Sequence, residues 1–210
     1  MAGQEVLITL PRRRPFKYVY QFKITLRGTR PPIWRRIQVP ESYTFYDVHV
    51  AIQDAIGWLD YHLHMFEVED KETKRAYVRI ESPFTDPDCE EERLILTTEV
   101  PIHSFFKVPK DRALYTYDYG DGWQLDVILE RVLPREPNKT YPVCLAGELA
   151  GPPEDCGGIP GYYRCVKAVK NKGNSEGLLT WLGSWKPDNF NPQRVRFDNP
   201  RTRLKIGLGE

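Results

Sequence analysis

From Tyr18 to Arg27 apolar and polar positions alternate: Tyr18, Tyr20, Phe22, Ile24 and Leu26 share one face, and Val19, Gln21, Lys23, Thr25 and Arg27 the other. A period of two is the mark of a half-buried strand. After a turn over Gly28 to Pro32, Ile33, Ile37 and Val39 repeat the pattern in a second strand. Arg35 falls in the register of those core positions. Its guanidinium therefore needs a carboxylate or carbonyl partner, because burying a lone charge costs several kcal/mol or more. The period then changes. Val48, Ala51, Ile52, Ala55, Ile56 and Leu59 recur at helical spacing, Thr44 and Asp47 form a capping pair ahead of them, and Gly57 stands near the helix end.

Strands resume in "HLHMFEVED" and "RAYVRI", followed by an acidic loop through Glu92 and the segment "RLILTTEVPIHSFF", which adds a short strand and a connection. The stretch "LYTYDYGDGWQLDVILE" reads as a hairpin. Tyr115, Tyr117 and Tyr119 line one face of its first strand, and Trp123, Leu125, Val127 and Leu129 one face of its second. From Pro134 the chain is rich in proline and glycine, and the pattern is one of loops and helices. Tyr162, Cys165, Val166 and Val169 mark one helix. "SEGLLTWLG", with Ser175 as its N-cap, marks a second, and "FNPQRVRF", opened by Asn191 and Pro192, a third. This order predicts an α+β fold: a mixed or antiparallel sheet, a helix packed on it after the first hairpin, and a C-terminal helical segment as a lid. The expected organisation is a flexible basic tail over 1–17, one domain over 18–205, and a short tail over 206–210.

Composition narrows the class. The chain has 210 residues, 40% hydrophobic and 12% aromatic, which is ample for a folded core and too apolar for a disordered chain. The N-terminus shows no apolar run of signal-peptide length, so a cytoplasmic protein with no membrane partner is expected. Cys89, Cys144, Cys156 and Cys165 show no paired spacing and read as reduced thiols rather than a zinc site or a disulfide framework. A net charge of +1 conceals an asymmetry: residues 1–40 carry nine basic side chains against Glu5, and residues 81–99 seven acids against one arginine. Such separation can steer a polyanion or tie two parts of the fold together. The run Arg12-Arg13-Arg14 reads first as a solvated tail.

Five motifs, "PPIWRRIQVP", "IQDAIGW", "HLHMFEV", "YDYGDGWQLDVILE" and "CLAGELAGPPEDCGGIPGY", stand in an order that resembles the plasmid pRiA4b ORF-3-like family, found on mobile elements as well as chromosomes. The likeness runs from about Tyr18 to about Leu204. It implies a compact α+β domain and little about activity, since the family has no established reaction and some members carry a transposon-resolvase label. Family members commonly have a histidine where this chain has Leu125, and many a cysteine where it has Gly151. Both departures remove potential metal ligands.

Four groups of residues bear chemistry. In Tyr119-Gly120-Asp121-Gly122-Trp123 the glycines suit a tight turn, with Asp121 bonding the backbone two residues on. Alternatively Asp118 and Asp121 flank a divalent ion with Glu148, Glu154 and Asp155 from the Pro-rich loop, since oxygen donors suit Mg²⁺ or Mn²⁺. In "PPEDCGG" the glycines bring amides and the Cys156 thiol near a ligand, although two preceding carboxylates oppose thiolate formation. His62 and His64 lie two apart, on one face if extended, and with His49 from the helix they offer three imidazoles to a metal or to structural hydrogen bonds. The tyrosines and Trp123, beside Arg35, Arg36 and the C-terminal Arg194, Arg196, Arg201 and Arg203, suit either core packing or stacking on bases and phosphates. No GxSxG elbow, phosphate loop, HExxH, dinucleotide fingerprint or recombinase pattern is present.

The first functional reading is thus a binding or interaction module for a protein or small molecule. Its ligand site would lie between the hairpin and the PPED loop, with Asp118, Asp121, Trp123, Glu154, Asp155 and Arg35 as candidates. A divalent metal is a possible cofactor, for which Asp118, Asp121, Glu154, Asp155, His62 and His64 are the candidate ligands. The second reading is a metal-dependent phosphodiesterase or nuclease built on the clustered carboxylates, and the third a nucleic-acid-binding accessory protein.

Overall fold

The computed structural model describes residues 15–69, 77–86, 94–171 and 176–209. Arg12 to Arg14, Cys89, Ser175 and most of the acidic loop lie outside them. Strands β1 (Tyr18–Leu26) and β2 (Trp34–Pro40) form the first hairpin, and helix α1 (Phe45–Ile56) follows. Next come β3 (His64–Val68), β4 (Val78–Glu81), a single 3₁₀ turn at Ile102–Ser104, β5 (Arg112–Tyr117) and β6 (Trp123–Pro134). The chain continues through β7 (Val143–Glu148), α2 (Gly158–Asn171), α3 (Glu176–Leu182), a 3₁₀ turn at Pro192–Arg194 and α4 (Pro200–Gly207). The strands make one seven-stranded sheet, ordered β4-β3-β5-β6-β1-β2-β7, in which every named pair is antiparallel. The fold is α+β.

The sheet has a dry face and a polar face, as the alternation requires. Phe22, Ile24, Leu26, Ile37, Phe66, Tyr115, Tyr117, Leu125, Val127 and Leu129 enter the core with Val48, Ala51, Ile52 and Ala55 of α1. Each buried aliphatic or phenyl side chain contributes about 1.5–3 kcal/mol. On the opposite face Glu130 receives both Nε and Nη2 of Arg36 at 2.6 and 2.8 Å and the Gln21 amide at 2.9 Å. Arg27 pairs with Asp126 at 2.6 Å. The basic residues of the early strands thus meet acids of β6.

Helix α1 starts and stops where its end residues dictate. Thr44 and Asp47 exchange side-chain and backbone bonds in a capping box, and Gly57 closes the helix in the left-handed conformation at φ 95°. Leu59 departs from its expected place: it lies beyond the helix and is exposed, because the glycine ends the period before it. Tyr119 also departs. It sits past the end of β5 in the turn, exposed, with its hydroxyl 3.1 Å from Glu81 Oε2.

Candidate functional site

The hairpin turn is built by Asp118. This residue has φ 54°, and its Oδ1 accepts from the amides of Gly120 and Asp121 at 3.0 and 3.2 Å, while its carbonyl accepts from Gly122 N at 2.7 Å. Gly122, at φ 66°, supplies the second left-handed position. The local turn bond expected of Asp121 therefore belongs to Asp118, three residues earlier. Asp121 is free to reach away, and its Oδ2 accepts from Gly157 N at 3.0 Å. Gly158 lies so close to the hairpin that a Cβ there would fall 2.7 Å from the Asp121 carbonyl oxygen. The turn and the PPED loop, remote in sequence, are one structural junction.

A third segment joins them, the loop between α1 and β3. Tyr117 OH donates to Glu154 Oε1 and accepts from Tyr61 N at 3.0 Å, and Leu59 N donates to Glu154 Oε2 at 3.1 Å. Burial first, and then the Glu154 hydrogen bond and charge, raise the Tyr117 phenol well above its ordinary value. His62 Nε2 lies 2.8 Å from Asp155 Oδ1 and 3.6 Å from Asp118 Oδ2. One donor atom from each of His62, Asp118 and Asp155 lies within 4.8 Å of the others. Both aspartates have left-handed backbones, Asp118 at φ 54° and Asp155 at φ 53°. Left-handed backbone is uncommon away from glycine and costs free energy that surrounding bonds must offset. Exposed Leu59, Tyr61 and Tyr119 belong to the same loop and turn.

The candidates from sequence are thus divided. Asp118 and Asp155 converge with His62. Asp121 turns to the Gly157 amide, and Glu154 is committed to Tyr117 and Leu59. Glu148 accepts from Trp34 Nε1 at 2.9 Å at the sheet edge. Trp123 is 1% exposed, with its ring centroid 5.8 Å from that of Trp58, and presents no face to a ligand. His64 parts from His62 because β3 begins at His64, so the alternation does not extend back to 62.

Instead His64 stacks on His49 with centroids 3.5 Å apart and planes 9° from parallel. These two imidazoles and Asp60 also form a compact group of donor atoms. It is a poor metal centre, since the in-plane lone pairs of stacked rings run parallel rather than meeting at one point. His49 is held between Tyr115 OH at 2.7 Å and Asp60 Oδ1 at 2.8 Å. Cys156 is buried, and burial, reinforced by Cys165 and Asp121, pushes its thiol up to about 12. It is no nucleophile at neutral pH.

With this geometry in view, the chain's residues 18–194 match the plasmid pRiA4b ORF-3-like protein family. The chain belongs to that family. Among its relatives is uncharacterized protein y4hQ of Sinorhizobium fredii, 28% identical over 168 residues, which are 79% of this chain and 81% of that one. Among solved structures, the protein of unknown function MM3350 from Methanosarcina mazei is 41% identical, with a TM-score of 0.79 over 87% of this chain and all of that one. The two positions read from sequence as this chain's departures from the family pattern now have a physical setting. Leu125 is fully buried in the sheet core. A Cβ on Gly151 would fall 2.3 Å from the Ile56 carbonyl oxygen, so this position has no room for any side chain. Among the described residues no helix is long and apolar enough to cross a membrane.

The signal for His62 as the partner of Asp118 and Asp155 was weak in the sequence, because three segments 56 and 37 positions apart must meet. The clearest pointer was the pairing of aspartates with glycine-rich turns, which tolerate the left-handed backbone that aims the carboxylates.

Proposed function

We propose that this chain is a cytoplasmic binding module whose ligand site is the junction of the hairpin turn, the PPED loop and the α1–β3 loop. Its centre takes a divalent cation through His62 Nε2, Asp118 Oδ2 and Asp155 Oδ1. The observation that carries this reading is the convergence of those three donors within 4.8 Å, from three segments, on two aspartates with left-handed backbones. One imidazole with two carboxylates suits Zn²⁺ or Mn²⁺ better than Ca²⁺, and three protein donors at a surface leave coordination positions for a ligand's oxygen or nitrogen. Asp118 can serve both turn and ion, since Oδ1 makes the turn bonds and Oδ2 faces His62.

Hydrolysis of a phosphodiester on the same ion is the second reading, favoured by those open positions. It draws on fewer carboxylates than the sequence offered, because Asp121 and Glu154 have other partners.

Thermal melts with Mn²⁺ and Zn²⁺ added separately test the first reading. The wild type should gain stability with at least one of them, by about 2–3 kcal/mol at a hundredfold excess over Kd. Both His62→Ala and Asp155→Asn should lose the gain. No response of the wild type to either ion would sink the proposal. Turnover of bis(p-nitrophenyl) phosphate by the loaded wild type, absent in His62→Ala, would support the second reading over simple binding.

A further inference from the structure

The loop that carries Asp155 also forms, through Gly151, Pro152 and Pro153, one wall of a separate cleft of about 370 Å³. The end of α1, Trp185 and the 189–196 segment complete it, and Arg35 lines it. None of His62, Asp118 and Asp155 does. The volume lies within the range of small-molecule sites.

Arg35 is 0% exposed. Its Nε donates to the Ala55 carbonyl at 2.7 Å, and its Nη1 to the carbonyls of Trp34 and Glu148 at 2.8 and 3.0 Å. Nη2 is buried without a partner among the described residues. The acceptors are all neutral carbonyls, and among the described residues no carboxylate forms an ion pair with this guanidinium. Burial accordingly brings its pKa down to about 10. A buried charge held this way is incomplete, for a guanidinium is stabilised most by an oxyanion that meets its outward N–H groups.

The surroundings favour such an anion. Asp54, the carboxylate in the cleft wall, already accepts from Arg203 Nη2 at 2.6 Å and from Asp198 N at 2.8 Å. Arg194 and Arg196 are exposed and line the same cleft, and among the described residues Arg196 Nη1 bonds only the carbonyls of Gln193 and Val195. Phe190 covers the buried guanidinium, with its ring 3.5 Å from Arg35 Cζ. It is held from below by Gly147, where a Cβ would fall 2.5 Å from the ring. A phenyl face is a weak substitute for an anion, and Phe190 is half-buried on the 189–196 segment and itself lines the cleft.

We infer that this cleft binds a small organic anion, whose carboxylate or phosphate meets Arg35 Nη2 and the two rim arginines while Trp185 and Phe190 hold its apolar body. This goes beyond the cation site and does not depend on it.

Phenyl phosphate, benzoate and inorganic phosphate are the anionic probes and benzamide the neutral control, all in a chelator that removes divalent cations. Melting temperature and tryptophan emission are the readouts. One of the aromatic anions should stabilise the protein above an equal concentration of chloride, and benzamide should not. Preference for phenyl phosphate over benzoate assigns phosphate, and the reverse assigns carboxylate. Arg35→Met, which keeps the stem and removes the charge, should abolish the effect, and Arg194→Ala with Arg196→Ala should weaken binding on the order of tenfold. If Arg35→Met does not fold, wild-type protein with ¹⁵N-labelled arginine replaces it, and the Arg35 guanidinium resonances must shift on adding the aromatic anion. A wild type indifferent to every anion, an undiminished effect in Arg35→Met, or unmoved Arg35 resonances would each overturn the inference.

Discussion

At the scale of single residues, His64 shows how burial turns a surface group into a pH-sensitive part of the core. Its ring lies against His49, Phe66 and Tyr115, and Thr97 Oγ1 stands 3.3 Å from Nε2. Desolvation, with the neighbouring His49 second, holds its pKa well below the ordinary value of 6.5. Above that value the ring is neutral in both folded and unfolded chains. Below it the unfolded chain takes up a proton that the folded chain refuses, so stability falls as pH falls. The loss from this one group is about 1.4 kcal/mol per pH unit until its folded pKa is reached. Urea unfolding of wild type and His64→Gln at pH 7.5, 6.5 and 5.5 measures it. The variant should start lower, having lost ring packing, and its stability should fall less steeply below pH 6.5 by about one proton's worth. Equal slopes would show that the ring is protonated in the fold.

At the scale of elements, the parts written in local pattern were legible and the parts fixed by distant contacts were not. The first hairpin, α1 with its capping box, β3, β4, the second hairpin and α2 all follow from alternation, helical spacing and caps. Strand β7 was hidden because Val143–Glu148 is an edge strand in a Pro- and Gly-rich stretch, with only Cys144 buried. Its clue, the small residues opposite Arg35 and Arg36 on β2, exists only in the sheet. Helix α4 had a visible signal, since Asn199-Pro200 repeats the cap of Asn191-Pro192, yet only Leu204 of its eight residues is buried. The candidate site was legible as to its aspartates. His62 was among the candidate ligands too, but which candidates meet was not legible, because His62 stands in a loop whose course depends on Glu154 and Tyr117. Gly151 makes the same point about a single position, read from sequence as a lost ligand. The structure gives it a packing reason: the PPED loop crosses the end of α1 in van der Waals contact with Ile56. Gly151→Ala should therefore lower stability by about 1–3 kcal/mol through overpacking, as read by urea unfolding. Gly177→Ala, at a helical position with nothing within 4 Å, is the control and should be neutral or mildly stabilising. If the two variants behaved alike, the loop would have to yield easily at this contact.

At the scale of the whole molecule, the question is whether the chain beyond the family match is an appendage or part of one folding unit. The match ends at residue 194, and α4 lies after it. Leu204 is 0% exposed and packs with Tyr46 and Val50 on the side of α1 away from the main core. Arg203 bonds Asp54 and Asp198 and stands 3.7 Å from Asp60, whose other oxygen holds His49. The last helix is thereby connected, through Asp60 and His49, to Tyr115 in the middle of the sheet. We propose that residues 18–205 form one cooperative unit. Removing 199–210 would uncover Tyr46 and Val50 and leave two largely buried carboxylates, Asp54 and Asp60, without their cation. The expected cost is about 3–5 kcal/mol, since loss of a buried leucine and of one partner from a buried ion pair each fall near that range and share the same contacts. Leu204→Ala alone should cost about 2–4 kcal/mol. Urea unfolding followed by tryptophan emission and by far-ultraviolet dichroism gives both values and tests cooperativity, because the two signals should coincide in the wild type. A truncated chain that kept the wild-type midpoint would make α4 an appendage, and a wild type whose two signals separated would divide the unit.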